Sequence, residues 1–117
     1  IDDVVNATVL ALKKSNLKSQ VYNVGSGKPI TVLKVAQKLK ELYNTKTSIT
    51  ISNKYRKGDI RHNFADLSLI KQELGFVNAF SFDRGLLNFV KWVQKQDIQD
   101  DKYDSSVQEM MQKGIMK

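Results

Sequence analysis

The segment from Tyr55 to Asp66 concentrates the side chains of this chain that are best suited to bind an anion. It reads Tyr-Arg-Lys-Gly-Asp-Ile-Arg-His-Asn-Phe-Ala-Asp and holds two arginines, two aspartates and the only histidine. An arginine guanidinium is a planar fork of donors that suits phosphate oxygens, and an aspartate can accept hydrogen bonds from ribose hydroxyls. From spacing alone, a nucleotide diphosphate site and a solvated turn before an aspartate helix cap are equally good interpretations.

Three stretches resemble the extended short-chain dehydrogenase/reductase family, and among its members the NAD-dependent nucleotide-sugar 4-epimerases of the UDP-glucose and UDP-N-acetylglucosamine type. The first is Arg-x-Gly-Asp-Ile-Arg-His-x-x-Ala-Asp at positions 56–66. The second, Val21–Leu33, resembles the strand, glycine turn and helix of these enzymes, and the third, Ile1–Ala7, resembles a helix start. The resemblance extends from Ile1 to about Gln96.

This resemblance implies the carboxyl-terminal, substrate-binding lobe of a larger enzyme that interconverts UDP-hexoses or UDP-N-acetylhexosamines through a 4-keto intermediate. In the family, NAD and a Tyr-x-x-x-Lys base belong to an N-terminal Rossmann domain. None of the four tyrosines here is followed four positions later by lysine, and no Gly-x-x-Gly-x-x-Gly turn is present. We therefore expect no catalytic, cofactor-binding or metal-binding residue in this chain, and no activity or NAD binding by the chain alone.

The resemblance also implies a substrate site. Arg56 matches the arginine that contacts the nucleotide phosphates, and Asp59 matches the aspartate that accepts from the ribose, buried beside that arginine. Asn63 falls where a residue faces the sugar, and an asparagine there leaves room for an N-acetyl group; a plain polar residue is the equal alternative. Asn23 and Gly25 are expected to shape the floor under the nucleotide.

Composition limits the function classes. The chain has 117 residues, which predicts one domain, and no cysteine, which excludes disulfides and cysteine metal sites. One histidine excludes a multi-histidine metal centre within the chain. The net charge is +7, although residues 97–117 carry three lysines against five acidic residues. No apolar run has membrane length, and we expect a cytoplasmic protein that contacts no membrane.

The alternation of apolar periods predicts a small mixed α/β lobe of about four helices and two to three short strands, packed on a Rossmann domain. Residues 1–96 would form this lobe and residues 97–117 a polar mobile tail, in which Val107–Met111 could form a short helix. The predicted strands are Val21–Val24 and Thr47–Ser52. The predicted helix starts are Asp2 or Asp3, Thr31, Asp66 and Ser81, and the predicted ends of the first and third helices are Asn16 and Gly75.

Other interpretations stay open at this point. The same lobe occurs in nucleotide-sugar dehydratases, decarboxylases and reductases. A small basic module that binds nucleic acid or acidic partners is a second class, although aromatics interleaved with basic residues on a sheet are not apparent. A purely structural role is a third. If the lobe rests on a Rossmann domain, it should expose apolar surface when isolated and self-associate.

Overall fold

The structure, a computed structural model, describes residues 1–14, 20–98 and 100–117, and these residues contain five α-helices. Helix α1 packs against α3, and α2 packs against α4. Within the described residues the only β pairing is an isolated antiparallel bridge between Arg56 and Met116. The helices are α1 (Asp2–Lys13), α2 (Val32–Leu42), α3 (Ser68–Leu74), α4 (Phe82–Val93) and α5 (Tyr103–Gln112).

Polar caps start two of these helices as the sequence predicts. The Thr31 hydroxyl accepts a hydrogen bond from the Lys34 amide at 3.1 Å, and the Ser81 hydroxyl accepts one from the Arg84 amide at 3.3 Å. Each bond satisfies one of the free amides of a first turn. Gly75 ends α3 with a φ of 63°, a left-handed conformation that glycine adopts without strain.

The start of α1 differs from the prediction. Ile1 is the N-cap residue and no side chain caps the helix, so the prediction that Asp2 or Asp3 caps it is wrong. The Asp3 carboxylate instead accepts from the amide of Ala79 at 2.9 Å and from that of Phe80 at 3.4 Å. A first-turn carboxylate thus joins α1 to the segment before α4. The helix ends at Lys13, and the predicted end, Asn16, lies outside the described residues.

The predicted mixed α/β lobe is not confirmed, because the described part of the chain is helical. Neither Val21–Val24 nor Thr47–Ser52 is a strand. A strand needs a neighbouring strand for its amides and carbonyls, and within the described residues neither segment has one. Side chains hold the first segment instead: the Tyr22 hydroxyl donates to the Glu73 carboxylate at 2.6 Å.

A small hydrophobic core lies between α1, α3 and the two segments that follow them in the chain. Phe76 and Ile70 are each 1% exposed, and partly buried Tyr22, Val24 and Ala65 pack against this cluster. Ile70 and Leu74 place one face of α3 in this core. The buried residues of the cluster are Ala7, Leu67, Ile70, Leu74 and Phe76.

The chain exposes more surface than a compact monomer of the same size. The accessible area is 10147 Å², whereas a folded monomer of this mass exposes about 6,500 Å². The radius of gyration is 18.3 Å, against about 13 Å for a chain of this length. Phe89 and Trp92 of α4, large apolar residues of the kind that usually fills a core, are 49% and 58% exposed. Exposed apolar surface is therefore extensive, and self-association stays a prediction.

The C-terminal region contains helix α5, which includes the predicted helical stretch Val107–Met111. Val107 is buried. Residues 115–117 then run beside residues 55–57, joined by backbone hydrogen bonds. The region thus contains a helix and a paired segment, while the division at Gln96 and the mobility of residues 97–117 stay predictions.

Candidate functional site

Three of the five predicted substrate-binding residues lie around one open cleft of about 440 Å³: Asn23, Gly25 and Asn63. The first two come from the extended segment that leads to α2, and Asn63 comes from the segment that leads to α3. Although Asn23 and Asn63 are 40 positions apart in the sequence, the core brings their segments together. The other lining residues are Val24, Ser26, Gly27, Lys28, Ile30, Phe64 and Ala65.

Hydrogen bonds from asparagine side chains join the segments that border this cleft to their neighbours. The Asn23 amide donates to the carbonyl of Asp66 at 3.4 Å, and the Asn78 amide donates to the carbonyl of Gly25 at 2.5 Å. Sequence reasoning missed Asn78, which lies between α3 and α4. A single asparagine in a polar stretch carries no local signal of such a contact, because the contact depends on how distant segments pack.

Close packing explains why glycines occupy positions 25 and 27 beside the cleft. A Cβ atom on Gly25 would stand 3.0 Å from the Cβ of Ala65, so close that Ala65 would have to shift by a few tenths of an ångström. Gly27 has a φ of +66°, and its Cβ would lie 3.2 Å from Leu67 Cδ1. The first glycine therefore allows the two segments to approach each other, and the second allows a backbone turn that other residues rarely adopt.

The remaining two predicted residues, Arg56 and Asp59, do not line this cleft and are exposed on a turn. The Asp59 amide donates to the Arg56 carbonyl at 3.2 Å, and Gly58 has a φ of +87° that permits the turn. Asp59 is exposed, so the expectation that it is buried beside Arg56 is wrong. Both charged side chains are open to solvent and available to a ligand. The ion pairs that the structure records among its described residues do not include Arg56 with Asp59.

Three backbone hydrogen bonds hold this turn in place from the C-terminal side. The Tyr55 amide donates to the Lys117 carbonyl at 2.9 Å, and the Lys117 amide returns a bond to the Tyr55 carbonyl at 3.0 Å. The Lys57 amide donates to the Ile115 carbonyl at 2.7 Å. Sequence reasoning missed this pairing, because two partners so far apart in the chain have no shared local pattern.

Hydrogen bonds shift the pKa values of two side chains, Asp66 and Tyr22. The hydroxyl and backbone amide of Ser68 both donate to Asp66 Oδ1, at 2.7 and 2.9 Å, and they lower the pKa of that carboxyl. The N-cap residue of α3 is Leu67 and no side chain caps the helix, so the prediction that Asp66 caps it is wrong. Asp66 instead accepts hydrogen bonds from Ser68, the first residue of the helix. The hydrogen bond to Glu73 raises the pKa of the Tyr22 hydroxyl, which donates that proton. Arg61 and His62 are exposed.

Residues 1–14, 20–98 and 100–117 contain no group of three or more histidine, cysteine, aspartate or glutamate side chains arranged to hold a metal ion. None of the helices in this part of the chain has the length and apolar character needed to cross a membrane.

Comparison with known proteins supplies the family context. The chain is 32% identical over 79% of its length to UDP-glucuronate 4-epimerase 5 of Arabidopsis thaliana, and 31% identical over 81% to human UDP-glucose 4-epimerase. It is 28% identical over 82% to dTDP-L-rhamnose 4-epimerase of Burkholderia thailandensis. The chain is related to nucleotide-sugar 4-epimerases. The resemblance predicted from the sequence is thereby confirmed.

These matches cover only part of the length of each relative. The chain spans 24% of the Arabidopsis relative, 26% of the Burkholderia relative and 27% of the human one, which is about a quarter of each. No protein-family model matches the chain. No solved structure matches it significantly.

Proposed function

We propose that this chain is the nucleotide-sugar-binding part of an NAD-dependent nucleotide-sugar 4-epimerase. The observation that supports it most is the agreement between the similarity to known proteins and the geometry of the cleft. The relatives are named as 4-epimerases of sugars linked to UDP or dTDP. The residues that the family pattern assigns to the sugar and the nucleotide floor, Asn63, Asn23 and Gly25, border a single cleft.

In this proposal the two parts of the site bind different parts of the substrate. Arg56 is exposed on a turn that also carries Lys54, Lys57 and Arg61, which suits a diphosphate. Asp59 accepts hydrogen bonds from the ribose. Asn63, an amide that both donates and accepts, faces the sugar, where its small size leaves space for an N-acetyl group.

Hydride chemistry is assigned to the remainder of a parent protein. NAD supplies that chemistry in the 4-epimerases, and this chain contains neither the glycine-rich dinucleotide turn nor the tyrosine–lysine pair. The apolar surfaces of α1, α2 and α4 are then the faces that rest on the chain's own N-terminal Rossmann domain, which accounts for the excess exposed area. This lobe contributes binding energy and orientation, which lower the barrier of a reaction carried out elsewhere.

The experiment that tests the function uses the full-length protein with UDP-hexoses, UDP-N-acetylhexosamines and UDP-hexuronates as substrates. Epimerisation gives a product of unchanged mass that differs only at carbon 4, and a nuclear magnetic resonance spectrum identifies it. A product lighter by one water identifies a dehydratase, and loss of carbon dioxide identifies a decarboxylase. Either result, or no turnover of any nucleotide sugar, contradicts the proposal.

A matched experiment uses this chain alone. It should show no epimerase turnover and no tight binding of NAD, and sedimentation should show self-association at high concentration through the exposed apolar faces. Turnover by the purified chain would contradict the assignment of the chemistry to another part of the protein.

A further inference from the structure

The C-terminal residues 115–117 form the second side of the turn that carries Arg56 and Asp59. Tyr55 and Lys117 exchange both backbone hydrogen bonds, so the next residues along, Arg56 and Met116, face each other as the non-hydrogen-bonded pair. Side chains at such a pair come close together. The antiparallel register therefore places the partly buried Met116 directly beside Arg56, the residue proposed to bind the diphosphate.

This register also separates the cations of the turn onto two faces. Successive side chains of an extended segment alternate in direction, so Arg56 shares a face with Met116 while Tyr55 and Lys57 share the opposite one. Lys57 Nζ lies 4.0 Å from the point where a Cβ of Gly114 would stand. One cation is thus directed away from the other, and the pairing decides which of the two meets a ligand on the Met116 face.

The segment is itself anchored firmly enough to act as a support. Gly114, with a φ of +64°, turns the chain after α5, and the amides of Ile115 and Met116 both donate to the Met110 carbonyl, at 2.9 and 3.3 Å. Val107 of α5 is buried. The recorded hydrogen bonds that join residues 55–62 to the rest of the described chain are the three made with residues 115 and 117.

We propose that the segment Ile115–Lys117 is a positioning element for nucleotide-sugar binding: its backbone holds the Arg56–Asp59 turn in the conformation that receives the diphosphate. The inference rests on the proposed function and deepens it. The segment touches no reacting atom, and it acts through the backbone of Tyr55 and Lys57.

Two substitutions at one position test this role in the full-length protein. Lys117→Pro removes the amide that donates to the Tyr55 carbonyl, whereas Lys117→Ala removes the same charge and keeps that amide. For turnover of the nucleotide sugar, Lys117→Pro should raise KM about tenfold, the size of a weakened charge-assisted contact, and leave kcat within about twofold. Lys117→Ala should leave both constants within about twofold. Equal effects of the two substitutions, or a loss confined to kcat, would overturn the proposal.

Hydrogen–deuterium exchange provides a measurement that does not depend on activity. The amides of Tyr55 and Lys57 should be protected in the wild-type protein and in Lys117→Ala, and they should exchange faster in Lys117→Pro while the amides of α3 stay unchanged. Unprotected Tyr55 and Lys57 amides in the wild type would overturn the positioning role. A wild-type protein that protects these amides and binds no nucleotide sugar would instead refute the proposed function, and with it the assigned ligand.

Discussion

The two parts of the candidate site are supported in different ways. The cleft with Asn23, Gly25 and Asn63 lies on the buried cluster around Phe76, and close glycine contacts and asparagine hydrogen bonds join the segments that border it to their neighbours. The turn with Arg56 and Asp59 is exposed and is joined to the rest of the described chain by three backbone hydrogen bonds. A core-supported cleft suits recognition of shape, and an exposed cationic turn suits capture of a charged group.

The largest effect should come from the core beneath the cleft. Phe76 is 1% exposed, so Phe76→Ala should lower the free energy of unfolding by about 3–5 kcal/mol through lost burial and a cavity. Phe64 borders the cleft but is 59% exposed, and Phe64→Ala should change stability by less than about 1 kcal/mol. Chemical denaturation of both variants measures the difference. Similar losses would mean that the cleft does not depend on this core.

The next effect concerns affinity at the turn. In the full-length protein, Arg56→Ala should weaken nucleotide-sugar binding about ten- to a hundredfold, since a charge-assisted hydrogen bond is worth about 1.5–3 kcal/mol. Lys57→Ala removes an equal charge on the opposite face and should cost less than about threefold. Asp59→Ala should weaken binding no more than Arg56→Ala does, because ribose is neutral. Calorimetric titration with a UDP-sugar tests the three variants, and equal losses for Arg56 and Lys57 would indicate unspecific charge attraction.

A third effect tests specificity in the cleft. Asn63→Tyr fills the space assigned to the acetamido group, so kcat/KM for a UDP-N-acetylhexosamine should fall by at least about tenfold while that for the matching UDP-hexose stays within about threefold. Measurement of kcat/KM with both substrates tests this prediction. Equal losses for the two sugars would remove Asn63 from the sugar site.

A smaller effect concerns the glycine contact in the floor. Gly25→Ala brings a methyl group to 3.0 Å from Ala65 and should lower stability by about 1–2 kcal/mol. Gly85 lies inside α4 with nothing within 4 Å of its Cβ position, so Gly85→Ala should raise stability by up to about 1 kcal/mol. Thermal unfolding of the two variants should shift in opposite directions. A stabilising Gly25→Ala would show that the two segments are not in close contact.

The smallest effect is a pH dependence at the start of α3. Hydrogen bonds from Ser68 lower the folded-state pKa of Asp66. A carboxyl with a lowered pKa stabilises the fold above its unfolded-state pKa, and this contribution is lost as the pH falls through the folded-state value. The stability advantage of the wild type over Asp66→Asn should therefore be present at neutral pH and disappear in acid. A constant difference between pH 7 and pH 2 would exclude this role.

Local signals in the sequence were enough to locate most helices. Thr31, Ser81 and Gly75 begin or end helices as predicted, because capping depends on a few neighbouring atoms. Expectations that required a distant partner were wrong or unconfirmed. The apolar alternation of Thr47–Ser52 has no neighbouring strand among the described residues, and Asp3 bonds to amides 76 and 77 positions away and caps no helix.

The sequence by itself determined the helical segments, the glycine turns and the relationship to nucleotide-sugar 4-epimerases, because each depends on residues close together in the chain. Only the tertiary structure decided that Asn23, Gly25 and Asn63 share a cleft, that Arg56 and Asp59 do not line it, and that residues 115–117 pair with their turn. The reason is physical: packing around Phe76 and backbone pairing with Lys117 join residues that are far apart in sequence, and such contacts follow from the global arrangement of the chain and leave no local pattern.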